Sequence, residues 1–236
     1  MTKPAIRFLP RRDGFTLIEL LIVIVILAIL ATILVPVINK VIQSADVAKS
    51  KAFVQDVASA CAAFKGENNG KYPGQDDPGM LKGSVGGPYT GSQILAARLF
   101  GYPDAEINNA APKASTKYLE YKLSRLINRS SKGQSIPRNS MGDDSSTANA
   151  LLYFPSRIRG SESEPTDCYK WADNSEYVSQ TGAQAVFNSD DCIRDGRTGG
   201  ARNPGGILII GTGPNDMYFE SGAGIENDDI RSWDLN

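Results

Sequence analysis

The chain begins with an apolar run of unusual length and then turns mostly polar. From Leu20 to Ile38 lie 19 residues without a charge, almost all Leu, Ile, Val and Ala. About 20 such residues in a helix cross the hydrocarbon core of a bilayer. The helical pattern continues past that segment. Phe53, Val57, Ala60 and Phe64 recur at spacings of four, three and four, which is one face of a helix. Asp46 and Lys49 interrupt the line nearer the apolar run and suit an exposed neck. Asn68-Asn69-Gly70, then Tyr72-Pro73-Gly74, form a stop signal. The pattern predicts one helix from Phe15 to about Lys65, roughly 75 Å long at 1.5 Å per residue. Pro36 has no amide hydrogen to donate and should bend it.

Beyond the helix the pattern is broken into short pieces. Gln93–Phe100 and Lys117–Asn128 read as helices, the second with Leu119, Leu123, Leu126 and Ile127 on one side. Arg129–Asn149 is rich in Ser, Gly, Asn and Asp and reads as a surface loop. Leu151–Phe154, Ala185–Phe187, Gly206–Ile210 and Met217–Glu220 are short apolar or aromatic runs bounded by turn residues, hence candidate strands. Antiparallel strands laid on the long helix would make an α+β head. There is no internal repeat.

Composition narrows the chemistry. The chain has 236 residues, with Lys plus Arg at 25 and Asp plus Glu at 26, so the net charge is 25 − 26 = −1. That balance argues against a general nucleic-acid binder. Histidine is absent from the sequence. Its absence excludes His-based acid–base and nucleophile systems and the usual zinc and haem ligand sets. No catalytic residue is expected, and the chain does not read as an enzyme. Gly211-Thr212-Gly213 lacks the lysine of a phosphate loop.

The flanks of the apolar run orient it. Lys3, Arg7, Arg11 and Arg12 against Asp13 give the first 14 residues a charge of 4 − 1 = +3. A basic segment of this kind stays cytoplasmic, which puts the polar body on the far side. No small-residue cleavage pattern follows the run, so the hydrophobic segment should be kept. Outside the cytoplasm a disulfide between Cys168 and Cys192 becomes reasonable, and closing that loop would contribute roughly 3–4 kcal/mol. Cys61 lies beside the apolar helix face and reads as a buried small hydrophobe.

Glu19 stands four residues inside an apolar run that starts at Phe15 and otherwise admits only Thr16. A carboxylate at mid-bilayer costs roughly 2.5–3.5 kcal/mol, and less near the interface. Either Glu19 marks the interface, or it awaits a cationic partner.

Gly14-Phe15-Thr16-Leu17-Ile18-Glu19, after a basic leader and before a long apolar helix, resembles the type IV pilin and pseudopilin family. The resemblance implies that a prepilin peptidase cuts after Gly14 and that Phe15 becomes the N-methylated first residue. Glu19 is then the fifth mature residue, and Pro36 falls where the family often carries a helix-bending proline. In a filament, Glu19 of one subunit could meet the Phe15 amine of its neighbour, offsetting the burial cost of both charges. The segments implied are a leader at 1–14, a membrane and filament-core helix at 15–38, its amphipathic continuation at 39–66, and an extracytoplasmic head at 67–236.

The carboxyl terminus carries a second resemblance. Gly213-Pro214-Asn215-Asp216, then Asn227-Asp228-Asp229-Ile230 and Ser232-Trp233-Asp234, is similar to the calcium loop of the major pseudopilin of type II secretion. Calcium takes six to eight oxygen ligands. Asn215, Asp216, Asp228 and Asp229 are the candidates, with Trp233 as a packing anchor. Asn215 stands where the family's first aspartate falls, and the spacer Met217–Glu226 is longer than usual. Without the resemblance, the segment reads as an acidic, solvated tail.

The expected function is a structural subunit of a type II secretion pseudopilus or a type IV pilus-like filament. Implied partners are copies of itself, prepilin peptidase, an inner-membrane assembly platform with its ATPase, and minor pseudopilins. It would sit in the bacterial inner membrane as a single-pass protein, its head in the periplasm or on an extracellular filament. One alternative is a minor tip pilin that binds DNA, a surface or a secreted protein. Another is a membrane-anchored extracytoplasmic enzyme or binding domain that never polymerises.

Overall fold

The computed structural model describes residues 14–109, 112–113, 117–120, 122, 125–127, 130–131, 134–135, 137–142, 149–157, 164–178, 182–189, 192–212, 218–219 and 230–232. The chain divides into two compact units, Met1–Ser44 and Ala45–Asn236. Helix α1 (Leu17–Glu67) contributes to both. Its first part is rich in Ile and Val, which are mediocre helix formers in water. In lipid the helix is favoured regardless, because every backbone group must be bonded internally. The expected stop is confirmed at Asn69 and Gly70. Both take positive φ, 53° and 73°, and the Gly70 amide closes the end by donating to the Lys65 carbonyl at 3.0 Å.

In the second unit, Phe53, Val54, Val57, Ala60, Cys61 and Phe64 of α1 are buried. Opposite them lies an antiparallel sheet in the order β5 (Leu152–Pro155), β6 (Ile207–Gly211), β7 (Ile230–Arg231). Tyr153 pairs with Ile209, and Phe154 with Leu208. Side chains alternate faces along a strand. Leu151, Tyr153, Ile207 and Ile209 accordingly join the core cluster that contains α1. Ala150, Leu152, Phe154, Leu208 and Ile210 join a second cluster with Tyr169, Tyr177, Phe187, Tyr218 and Phe219. The sheet is therefore buried on both faces, which explains why Ile207-Leu208-Ile209-Ile210 is uninterrupted by polar residues.

Helix α2 (Gly91–Phe100) matches the expected Gln93–Phe100 and starts two residues earlier. Thr90 caps it, exchanging hydrogen bonds with Gln93, and Gly101 closes it at φ 70°. A side chain at Gly91 would meet the Tyr153 carbonyl at 1.9 Å, so only glycine lets α2 approach β5 this closely. Asn174 reinforces the seam, accepting from the Ser92 amide and donating to that same Tyr153 carbonyl at 2.6 Å. These contacts cover the outer edge of β5.

Four expectations are corrected. Lys117–Asn128 is not a helix. Its described residues bend at 117–119 and end in β1 (Leu126–Ile127), and the Tyr118 amide is bound to the Leu99 carbonyl at 3.1 Å. The leucine spacing that read as helical instead sends Leu119 and Leu126 to one cluster and Ile127 to the other. Arg129–Asn149 is not a plain surface loop. It holds a hairpin of β2 (Ser130–Ser131) and β3 (Gln134–Ser135), then β4 (Ser140–Met141) paired to β1. Asn139, Ser140 and Met141 are buried there, and Asn139 donates to the carbonyls of Ile107 and Asn109. Ala185–Phe187 belongs to a single helical turn, α4 (Ala183–Phe187), that follows Gly182. A run of three residues is too short for periodicity to tell strand from helix. Within Met217–Glu220 the described pair Tyr218-Phe219 is a buried bend, not a strand. One further turn, α3 (Pro165–Cys168), precedes α4.

The loop 82–87 is strapped to the segment 170–176. Lys82 pairs with Glu176, the Gly83 amide donates to Asp173 at 2.8 Å, and Arg157 binds both Ser84 at 2.6 Å and Asp173 at 2.6 Å. Asp173 is fully buried. Burial pushes its carboxyl above the ordinary value of 3.8, against the opposing attraction of Arg157. The native chain therefore holds this proton to a higher pH than the unfolded chain does. Stability from the site is fully present below about pH 3.8 and declines as pH rises through the raised native value. In denaturant titrations of the full chain in detergent, Asp173→Asn should remove this falling component of the profile above about pH 4. An identical pH slope in variant and wild type would exclude Asp173 as the titrating group.

Candidate functional site

The expected processing and assembly residues Gly14, Phe15, Glu19 and Pro36 all lie in the amino-terminal unit, with Pro36 further along the helix. Gly14, Phe15 and Thr16 precede the first helical residue, Leu17, and Gly14 and Phe15 are exposed. Among the described residues, a Cβ built on Gly14 meets nothing within 4 Å, so they place no steric demand on glycine there. Any requirement for it belongs to a partner that reads the extended chain.

Glu19 has partners that the sequence reading missed. The amide and the hydroxyl of Thr16 each donate to its Oε2 at 2.8 Å, and the Glu19 amide donates back to Thr16 Oγ1 at 3.3 Å. This is a capping box, Thr at the cap and Glu three residues on. The T-x-x-E spacing at the start of an apolar helix was the signal that could have shown it. The carboxylate also sits at the positive end of the helix dipole. Glu19 thus closes the helix start before any second chain is involved.

From Leu17 to Ile42 the large apolar side chains are exposed all round the helix, 46% at Val23 and 83% at Leu17. An 18-residue window has a mean hydropathy of 3.3, and none of it is buried. A helix apolar on every face needs lipid or like helices around it. Pro36 lies inside α1 and leaves the Thr32 carbonyl without its usual donor. One turn earlier the Thr32 hydroxyl donates to the Ala28 carbonyl at 2.8 Å, a bond that itself tends to bend helices.

Residues 9–35 match the family model of the prokaryotic N-terminal methylation motif. The chain carries this prepilin-type motif in its amino-terminal segment. The match covers Gly14, Phe15, Thr16 and Glu19 and ends one residue before Pro36. Motif and apolar helix together indicate a protein anchored in a membrane by its amino-terminal segment. A search of curated proteins and of solved structures gives no match.

Elsewhere the expected sites are reached in part. Cys168 and Cys192 fall in one buried cluster with Tyr169, whose phenol is pushed up chiefly by burial. The structure does not join the two sulfurs by a bond. Cys61 is fully buried in the α1 core, as expected, and burial pushes its thiol up, away from reactivity. The calcium candidates Asn215, Asp216, Asp228 and Asp229, with Trp233, lie outside the described residues. Their frame is described. Gly211 pairs with Ile230, so the chain leaves β6 and enters β7 at the same end of the sheet. Between those points Tyr218 and Phe219 are buried, and Tyr218 bonds to the Ala150 carbonyl. Phe219 takes φ 54°, a conformation that costs a bulky residue about 1 kcal/mol or more and that packing must hold.

Because Gly14 is sterically idle in the fold, Gly14→Val should leave stability and helix content unchanged while blocking cleavage. Intact mass of the membrane-extracted variant should keep the leader. A processed product, or loss of the folded protein, would contradict this.

Proposed function

We propose that the chain is a structural subunit of a type II secretion pseudopilus or a related type IV pilus-like filament. The observation that supports it best is the methylation motif at 9–35, followed by a helix whose apolar surface is exposed on all sides. Prepilin peptidase would cut between Gly14 and Phe15 and methylate the new amine. Apolar helices then bundle in the filament core while heads tile its outside. An inner-membrane platform, its ATPase and minor pseudopilins would drive and prime assembly. The head would lie in the periplasm or along an extracellular fibre.

Glu19 is central to this reading. Cleavage creates a cation at Phe15, one residue before Thr16 and four before Glu19. In a packed core, Glu19 of one subunit would meet the Phe15 amine of the next, and a register error would strand both charges. Glu19→Ala should remain in the membrane yet fail to form filaments, read by shearing and electron microscopy. Normal filaments in the variant would sink the proposal. Wild-type protein should show a mass lacking residues 1–14 and carrying one methyl group. Measured without reductant, the same spectrum tests the Cys168–Cys192 disulfide, which would lower the mass by the two hydrogens lost.

The carboxyl terminus is proposed as a calcium loop. Asn215, Asp216, Asp228 and Asp229 are oxygen donors of the type calcium takes. The Gly211–Ile230 pairing gives the connection that carries them a closed base. Bound calcium would supply charge neutralisation between these carboxylates and tie the connection to the sheet. Millimolar calcium should raise the melting temperature of the full chain in detergent relative to chelator, and Asp228→Ala should abolish the increment. Equal melting temperatures with and without calcium would remove this part of the reading.

A further inference from the structure

A cleft of about 310 Å³ opens beside the turn that ends α1, between that turn and the end of β5. Its lining includes Lys71, Asn69, Pro78, Pro155 and Arg157, and none of its described residues carries a carboxylate. Such a volume lies at the small end of ligand sites. Arg157 is held rigidly, its two terminal nitrogens bound to Ser84 and Asp173, with only 13% of the side chain exposed. Its Nε–H is buried and has no acceptor among the described residues. Asp173 already balances the guanidinium charge, so the uncompensated cation of the cleft is Lys71. Lys71 is exposed, and among the described residues its ammonium has no carboxylate partner.

Gln75, also in the lining, is committed elsewhere: its amide donates to the carbonyls of Ser156, Gly205 and Gly206. It serves as a fixed wall. The rings of Pro78 and Pro155 provide short apolar walls beside the positive end. The cleft thus joins the exposed Lys71 ammonium, the Asn69 side-chain amide and a rigid guanidinium neutralised by Asp173 to a small aliphatic surface. We propose that this cleft binds a compact carboxylate, the chemistry shared by a free peptide carboxyl terminus and an acidic sugar. Anions pair with ammonium and amide donors through charge-assisted hydrogen bonds, and no carboxylate among the described residues competes for Lys71.

The test uses the full chain in zwitterionic detergent and ligand-observed saturation-transfer NMR. N-acetylglycine stands for a peptide terminus, glucuronate for an acidic sugar, and N-acetylglycinamide is the neutral control. At least one acid should bind and the amide should not, and binding should weaken as salt rises. Lys71→Ala should weaken the acid about five-fold without altering the melting temperature, since the side chain has no partner in the fold. Binding of N-acetylglycine alone assigns a peptide terminus, and of glucuronate alone an acidic sugar. Equal signals from acid and amide, no binding of either acid, or an unchanged affinity in Lys71→Ala would overturn the proposal.

Discussion

A helix that is apolar on every side has no stable existence alone in water, and this constraint governs the chain. Between Leu17 and Ile42 no face of α1 is reserved for a core of its own unit. Lipid or the same segment of other chains has to cover it. Further along, the same helix narrows its apolar surface to one stripe, Phe53 to Phe64, and that stripe becomes part of the head's core. One continuous element thus meets two solvents, and the change of pattern near Asp46 and Lys49 marks where the requirement changes.

The head is built so that its sheet needs no exposed face. α1 lies in the cluster on one side, and the segments 168–193 and 218–219 supply the cluster on the other. Covering the second face takes many short turns, each too small to hold itself together. Their order comes from specific polar ties. Asn174 binds the β5 edge, the Tyr177 hydroxyl sits within hydrogen-bond reach of Thr90 and Ser140, and Asp173 meets Arg157 and the Gly83 amide. Buried polar groups of this kind are costly if left unpaired, so they fix which turn packs where.

This division explains what was readable in the sequence. The long helix, its stop at Asn69-Gly70, α2 and the β5–β6 pair were legible because each carries enough residues for its period to show. Lys117–Asn128 misled because apolar residues at helical spacing also serve a non-helical segment, in which Leu119 and Leu126 enter one core cluster and Ile127 the other. Ala185–Phe187 misled because three residues have no period. The processing site was legible as a motif. The Thr16 partner of Glu19 is written in the T-x-x-E spacing. The Lys71–Arg157 cleft was not legible at all, since it joins residues 86 positions apart.

The Thr16–Glu19 box changes what the carboxylate can contribute to the proposed filament. A carboxylate already accepting two hydrogen bonds at a helix start is not an orphan seeking any cation. Were the chain cleaved after Gly14 as proposed, its own amine would lie just before Thr16, and a local pairing would compete with the one between subunits. A pair taken out of water gains little net energy, whereas a half-made pair costs several kcal/mol. In the proposed filament, the attraction that assembles the core would therefore come from the apolar faces packing first. The ionic contact then penalises every register that leaves Glu19 and the amine apart. Its contribution is selectivity between nearly equivalent packings of a smooth Ile, Leu and Val surface, which dispersion alone would not distinguish.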